Sequence, residues 1–463
     1  MPAARVDAAA HVESGHVSEG DDALMSTMEP DERCDVFVLG GGPGGSTIGA
    51  LLAQRGWNVV IAEKEHHPRF HIGESLLPLN LPLFERLGVR ADIERIGMPK
   101  YGAEFNSPLH AEPVTFDFGQ AVDPTYPSSF EVRRSEFDEI LFRNAQRKGA
   151  HTFEGCRVTD VAFPAGAPVR VKARGADGGE RAWQAKFFVD ASGRDTFLAN
   201  RLGIKRRIRE HNSAALYGHF TGAQRLPGKA AGNISMFWFE HGWFWFIPLL
   251  DGTTSVGAVC WPYYMKSRKT DPTTFFLDTI ATVPKLALRL RDAKLTHEVT
   301  ATGNYSYSAA HMYGDRYILV GDAYTFIDPV FSSGVMLAMN SAFVGADAVE
   351  ACLGDPARAP AMLRRFDRTV RAGVRSFTWF IYRMTNPTIR QLFMAPSTAL
   401  GMQAGVLSLL AGDLFRGTPI RWRLRAFKVL YYLLNLRYPL RSIAGWRNRK
   451  RLLREQTTGM TQS

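Results

Sequence analysis

Apolar runs and the residues that interrupt them divide the chain into elements. Cys34 to Leu39 (CDVFVL) is a short β-rich run that feeds into Gly40-Gly41-Gly42-Pro43-Gly44-Gly45, after which Ser46 to Gly56 carry a helical pattern. A second strand-like run, Trp57 to Ala62 (WNVVIA), ends at Glu63. Far downstream, Phe187 to Gly193 (FFVDASG) reads as a buried strand closing on small residues. Arg316 to Asp322 (RYILVGD) reads as another, with a helix following from Ser333. Leu83 to Ile96 is predicted as one helix, and Lys100, in Met98-Pro99-Lys100-Tyr101-Gly102-Ala103, stands at the start of a strand. From about Ala361 the pattern is mostly helical, broken at Pro387, Pro396, Pro419 and Pro439, with Phe377, Trp379, Phe380 and Tyr382 expected in the core.

The 463 residues, 45% apolar and 22% charged, describe an ordinary folded chain with a sizeable core. Cys34, Cys156, Cys260 and Cys352 form no C-x-x-C pair, which argues against a disulfide framework or a zinc site and fits a reducing cytoplasm. No metal site is expected. Residues 1–33 are rich in Ala, Ser, Glu, Asp and Gly and lack an apolar core region. They read as a disordered extension, or as an upstream start before Met25 or Met28, rather than a signal peptide. The apolar run Val429 to Leu436 is too short to span a bilayer.

The net charge of +11 is concentrated. Between Gly412 and Glu455 stand Arg416, Arg421, Arg423, Arg425, Lys428, Arg437, Arg441, Arg447, Arg449, Lys450, Arg451 and Arg454, against Asp413 and Glu455 alone. Such a segment attracts an acidic partner, whether a carrier protein, anionic headgroups or nucleic acid, although a solvated helical face would read the same.

The glycine turn carries the first clear chemistry. Gly40, Gly42 and Gly45 meet the G-x-G-x-x-G spacing: one for the tight turn, one for close approach of a pyrophosphate, one for packing of helix on strand. The helix that Ser46 opens offers free N–H groups to phosphate. Glu63, about twenty residues on at the end of the next strand, is placed to accept ribose hydroxyls. FAD and NAD share this fingerprint, and the later segments decide between them. Asp190 in FFVDASG and Asp322 in RYILVGD, with the helix from Gly334 aimed at a flavin ring, resemble the flavoprotein monooxygenases, halogenases and isoprenoid reductases over residues 34 to about 350. The segment Glu131 to Asp138 (EVRRSEFD) is similar to the second FAD contact of that class, with Arg134 facing the cofactor and Phe137 in the core. The resemblance extends cofactor contact to Arg69, Ser75, Val158 and Val335. No second glycine fingerprint follows, so reduced flavin is expected to arrive from a separate flavin reductase.

Three features narrow the class. His241 to Pro248 (HGWFWFIP) contains W-x-W-x-I-P as Trp243, Trp245, Ile247 and Pro248, although an aromatic strand with alternate residues in a core reads the same way. Phe326-Ile327-Asp328-Pro329-Val330-Phe331-Ser332-Ser333-Gly334 matches F-x-x-P-x-x-S-x-G at Phe326, Pro329, Ser332 and Gly334. A lone lysine is ordinarily a surface residue, but Lys100 lies some sixty residues past the glycine turn in a Pro-Lys…Gly-Ala frame. Together these resemble the flavin-dependent halogenases.

That resemblance implies an α/β fold. An FAD-binding Rossmann-like domain would span 34–360, with an interleaved antiparallel β-sheet substrate domain at about 100–132 and 205–310, and a helical, basic C-terminal region would follow over 361–463. It implies that reduced FAD, oxygen and chloride or bromide make hypohalous acid, with halide on the amides of Ser333 and Gly334. The tryptophan residues would keep substrate from the flavin, and Lys100 would deliver the halogen to an electron-rich ring. An ammonium can hydrogen-bond hypohalous acid, a neutral amine can form a haloamine, and burial lowers the lysine pKa toward the second. His71 to Pro78 (HIGESLLP) and FIDPVFSSG resemble members acting on pyrroles or phenols, often on an acyl or peptidyl carrier protein. Tryptophan-specific members carry glutamate where Phe331 stands, which disfavours free tryptophan and leaves the base for the ring proton unassigned. The expected partners are a small aromatic substrate, free or on an acyl or peptidyl carrier protein, and the reductase, with no nucleic acid; membrane contact is open but not expected. Two alternatives remain at this level: an isoprenoid or polyene reductase or monooxygenase on the same scaffold, and a non-catalytic flavin-binding protein.

Overall fold

The computed structural model describes residues 32–208, 213–303, 306–384 and 386–437. The extension expected over 1–33 lies outside the described residues except for Glu32 and Arg33, which already belong to the first strand. The basic segment beyond 437 also lies outside them.

The nucleotide domain is built on parallel strands. Glu32–Leu39 is flanked by Val59–Ala62 and Glu180–Asp190, and Tyr317–Leu319 pairs on the far side of the last. Val36, Phe37 and Val38 are fully buried, as expected of a central parallel strand covered on both faces. Helices Pro43–Gln54 and Gly334–Gly354 pack together on this sheet, and Ala359–Ile381 packs on the second of them. Gly334–Gly354 is long and apolar enough to cross a membrane, but here it is a core helix with Met339, Ala342 and Ala346 fully buried.

The second sheet runs in the order Lys294–Leu295, Ala214–Thr221, Thr254–Cys260, Gly242–Pro248, Ile234–Phe239, Gly102–Asn106, Val114–Asp117. It is antiparallel except where Ile234–Phe239 runs parallel to Gly102–Asn106, the seam that joins two distant stretches of chain. Its position between parts of the nucleotide domain gives the interleaved α/β architecture expected from the sequence. A short ribbon, Met98–Lys100 against Ser129–Glu131, adjoins it and sets Lys100 opposite Ser129 and diagonal to Glu131.

Two local expectations need correction. Leu83 to Ile96 is not one helix but two, Leu81–Leu87 and Arg90–Ile96, because Gly88 takes a left-handed conformation (φ 76°) that closes the first. Lys100 ends a strand rather than starting one. In the C-terminal region, Pro387 begins a helix, Pro387–Met394, where its missing N–H costs nothing. Helices Met402–Leu410 and Arg421–Arg437 follow. Phe377 and Phe380 are fully buried, as the periodicity implied, whereas Trp379 and Tyr382 are only half-buried.

Candidate active site

The glycine turn shows three separate demands. Gly40 has φ 105°, and a Cβ there would stand 2.4 Å from the Ala191 carbonyl oxygen. A Cβ on Gly45 would meet the Gly40 carbonyl oxygen at 1.9 Å, so strand and helix pack through that position. Gly42 differs: the nearest atom to a Cβ is the Arg69 guanidinium at 3.5 Å, and the residue faces a cavity. It is also the N-cap of Pro43–Gln54 and offers no capping side chain, which leaves helix N–H groups for a ligand. Ser46 donates to the Gly41 carbonyl (2.8 Å) and is buried, so it staples the turn rather than facing the cavity.

Glu63 closes the second strand beside this turn. Its carboxylate accepts from the amides of Gly41 (2.8 Å) and Glu65 (3.0 Å) and stands 3.5 Å from Arg69, with lone pairs left for hydroxyl donors. Arg69 and Arg134 converge on Asp138, a fully buried carboxylate that sequence reasoning did not single out. Burial pushes Asp138 up, but the two guanidiniums outweigh it and hold it below the ordinary aspartate value. Arg134 also donates to the Ile72 carbonyl (3.0 Å), which orders the segment leading to Ser75.

One cavity gathers most of the expected cofactor residues. Gly40, Gly42, Glu63, Arg69, Ser75, Arg134, Val158, Asp322 and Val335 line it. Burial pushes Asp322 up to about 6, against the pull of Arg134 and Arg194. Asp190 and Gly45 do not line it. Both oxygens of Asp190 are spent on the amides of Ser192 (2.9 Å) and Leu198 (2.7 Å), fixing the turn that presents Ser192 and Gly193 to the cavity. The opening at Gly42, the uncapped helix N-terminus and the strand-end Glu63 fit the pyrophosphate and ribose of FAD.

The aromatic strand divides by alternation. Trp243, Trp245 and Ile247 face the cavity, whereas Phe244 and Phe246 pack in a second core with Phe276 and Ile280. The strand therefore gives one face to the cavity and the other to a core. Trp245 is fixed by a bond to the Ser255 hydroxyl (3.1 Å) and lies over Gly257, where a Cβ would meet its ring at 2.2 Å. Pro248 ends the strand away from the cavity.

Phe326, Pro329, Ser332 and Gly334 also line the cavity. Ser332 takes φ 55°, which turns the chain into Gly334–Gly354 and leaves Ser333 as an N-cap whose hydroxyl is buried with no hydrogen-bond partner. A helix N-terminus with an unsatisfied buried hydroxyl has the donor set for an anion.

Lys100 lies beyond this cavity. It is 1% exposed, and its Nζ donates to the Ser75 hydroxyl (2.7 Å) and the Leu76 carbonyl (3.1 Å). Because Ser75 lines the cavity, the amine stands one hydrogen bond behind the cavity wall. The ring of Phe118 lies 5.6 Å away. Glu131 approaches Nζ at 3.6 Å, and its two buried carboxylate oxygens have no hydrogen-bond partner. Burial lowers the lysine pKa against the opposing pull of Glu131, and burial pushes Glu131 up to about 7 against the pull of Lys100. The sequence signal for Glu131 is its place at the start of EVRRSEFD, the segment that also carries Arg134 and Phe137. Phe331, where a glutamate would stand in tryptophan-specific relatives, is buried and stacks on Phe393 with ring centres 6.2 Å apart. The C-terminal region covers the Lys100 side: Ala411 accepts from the Leu79 amide (3.1 Å) and Ser408 from the Val122 amide (2.9 Å).

Comparison with known proteins agrees with this geometry. The FAD binding domain family model matches residues 33–369. The 1H-pyrrole-2-carbonyl-[peptidyl-carrier protein] chlorinase of Pseudomonas fluorescens is 30% identical over 413 residues, covering 84% of this chain and 91% of the chlorinase. The tryptophan 2-halogenase of Chondromyces crocatus is 35% identical over 332 residues, 70% of this chain but 63% of the halogenase. The solved structure of the myxobacterial chondrochloren halogenase superposes with a TM-score of 0.73 at 36% identity, covering 82% of this chain and 90% of that one.

Proposed function

Since this chain belongs to the flavin-dependent halogenases, an FAD enzyme family, we propose that it halogenates a phenolic or pyrrolic ring through Lys100. The observation that carries the assignment is Ser75, which lines the cofactor cavity and whose hydroxyl accepts from Lys100 Nζ.

In this reading the helix N-terminus at Gly42 holds the pyrophosphate, Glu63 the ribose, and Arg69, Arg134, Val158, Asp322 and Val335 the remaining wall. FAD, bound and reduced by a separate reductase, supplies with oxygen and chloride or bromide the oxidised halogen as hypohalous acid. The amides of Ser333 and Gly334 hold the halide. Trp243 and Trp245 fill the cavity wall, so an organic ring does not meet the flavin.

At the far side the Nζ donates to two acceptors, the Ser75 hydroxyl and the Leu76 carbonyl, and faces the Glu131 carboxylate at 3.6 Å, so one of the three N–H groups of an ammonium has no close acceptor. The long Glu131 contact is the one that hypohalous acid displaces. Lys100 then donates a hydrogen bond to its oxygen and finally the proton, the O–X bond breaks as the C–X bond forms, and water leaves. The ring proton passes to the Glu131 carboxylate and from there back to the amine. Glu131 thus takes the place of the base that Phe331 cannot provide.

The pyrrole named for the Pseudomonas fluorescens relative is borne on a peptidyl carrier protein. The exposed basic residues of Arg421–Arg437 support a carrier-tethered substrate here as well. The test is mass spectrometry for halogen isotope pairs after incubation with reduced FAD, oxygen, chloride or bromide, and free and carrier-bound phenols and pyrroles. Halogenated product from a tethered or free ring of this class supports the reading. Consumption of reduced FAD without halide dependence would overturn it in favour of a reductase or hydroxylase.

A further inference from the structure

The halide-oxidising half of the reaction consumes a proton. Reduced FAD, oxygen, halide and one proton become FAD, hypohalous acid and water: two electrons leave the flavin, the O–O bond is broken and an O–X bond is made. The two flavin hydrogens and the added proton end in the two products. That proton has to reach the cofactor cavity from solvent, and none of the residues placed so far brings it there.

A buried titratable pair unused by the mechanism touches the cavity. Glu74, a wall residue, bonds through Oε1 to His219 Nε2 at 2.8 Å, and the two are 2% and 1% exposed. The outer atoms of the pair, Glu74 Oε2 and His219 Nδ1, are buried without a hydrogen-bond partner. Behind His219 stands His297, an exposed residue whose ring centre is 5.4 Å from that of His219. The two histidines are held in register. The Thr296 amide and hydroxyl both donate to the His219 carbonyl (2.9 and 3.0 Å), and the same hydroxyl is 2.8 Å from His297 Nδ1. Phe70 meets the His219 ring edge-on, and Tyr217, Glu131 and Arg133 are further titratable or charged groups that interact with the three residues.

Imidazole accepts a proton at one nitrogen while releasing another from the second, and a carboxylate does the same across its two oxygens. The row therefore has an exposed entry, a buried relay and a terminus on the cavity wall.

We propose that His297, His219 and Glu74 form the route by which solvent protons enter the cofactor cavity during halide oxidation. The hop between the imidazoles is made directly or through one bridging water. This inference rests on the cavity being the FAD site of a halogenase.

The test uses the full-length enzyme and the His297→Ala, His219→Gln and Glu74→Gln variants. Hypohalous acid release from reduced FAD is measured in dilute buffer with and without added imidazole. FAD affinity is read by flavin fluorescence, and the tautomer of His219 by nitrogen spectra of the cofactor-free, histidine-labelled chain. His297→Ala is expected to slow release by about tenfold or more in dilute buffer and to recover to within about twofold with imidazole, because the lost group was a surface proton carrier. His219→Gln should be slowed at least as much and should not recover, since its site is sealed. Both histidine variants should bind FAD within about twofold of the wild type. In the cofactor-free chain, His219 should carry its proton on Nε2 in the wild type and lose that preference in Glu74→Gln. Wild-type rates in the variants, or a His297→Ala defect that imidazole leaves untouched, would overturn the route alone. Absence of halide-dependent hypohalous acid from the wild type would overturn the functional reading, and the route with it.

Discussion

At the glycine turn, contiguous residues from Gly40 to Gly45 make the site, and the demands on them are steric: backbone conformation, close packing, an opening for a ligand. At Lys100, three stretches separated by about thirty residues each bring Ser75, Lys100 and Glu131 together, and the demands are electrostatic: two ionisable groups sealed from water with one poor contact between them. The two regions share a wall at Ser75. The turn is specified locally and should be most sensitive to substitution of shape, whereas the lysine chamber is specified by folding and should be most sensitive to substitution of charge.

The largest effect that separates the two is expected from Lys100→Ala. Halogenated product should fall by roughly 10²–10⁴-fold, the range for losing a proton-transferring group, while FAD binding and hypohalous acid release continue. Isotope-resolved mass spectrometry of product beside a chemical trap for hypohalous acid measures both at once. Retained halogenation in this variant would remove Lys100 from the mechanism.

Next come two glycines that look alike in sequence. Gly45→Ala places a methyl group 1.9 Å from a backbone oxygen and should destabilise the fold by about 3 kcal/mol, read by thermal or denaturant unfolding. Gly42→Ala meets nothing closer than 3.5 Å and should fold normally, yet lose FAD affinity by about tenfold or more because its methyl group occupies the space the pyrophosphate needs. Equal effects at the two positions would break the assignment of separate roles.

The same contrast decides what could be read from the sequence. The turn was legible because its determinants are neighbours: spacing alone gives the fingerprint, and Glu63 follows at a fixed interval. The cavity face of Trp243, Trp245 and Ile247 was legible because strand alternation is local. Lys100 was singled out through a resemblance to a family, not through its surroundings. Glu131, Glu74 and His219 were not legible as partners, because their contacts cross between the two strands of a ribbon or from a loop to a strand, with His219 145 residues beyond Glu74. Asp190 shows the opposite error. A strand-end aspartate beside a small-residue turn looks like a ligand-binding residue in sequence, but its carboxylate is consumed by two backbone amides.

Glu131→Gln tests the electrostatic character of the chamber. Burial lowers the Lys100 pKa and Glu131 opposes that, so removing the carboxylate lets the amine lose its proton at still lower pH. If the ammonium is the active form, halogenation falls as pH rises through the lysine pKa, and the alkaline limb of the pH profile should move down in Glu131→Gln. The plateau itself should fall because the variant lacks the carboxylate that takes the ring proton, and at a pH on the wild-type plateau but above the shifted limb a one-unit shift adds about a further tenfold loss. Glu131→Asp should restore part of the range. A limb that stays in place, or activity that rises at low pH, would favour the haloamine route instead.

The smallest effect belongs to the C-terminal helix, where charge acts at a distance from both regions. Arg421–Arg437 buries Leu424, Phe427 and Tyr431 and turns Arg421 and Arg425 outward beside exposed Trp422 and Val429. A basic, partly apolar face of this kind attracts an acidic carrier through long-range potential more than through any single contact. Replacing Arg421 and Arg425 by glutamate should raise KM for a carrier-tethered ring about three- to tenfold, leave kcat and the KM for a free ring unchanged, and lose its effect as salt shortens the screening length from about 10 Å at 0.1 M toward 3 Å at 1 M. A wild-type enzyme whose tethered-substrate KM is insensitive to salt would remove the helix from carrier recognition while leaving the chemistry at Lys100 untouched.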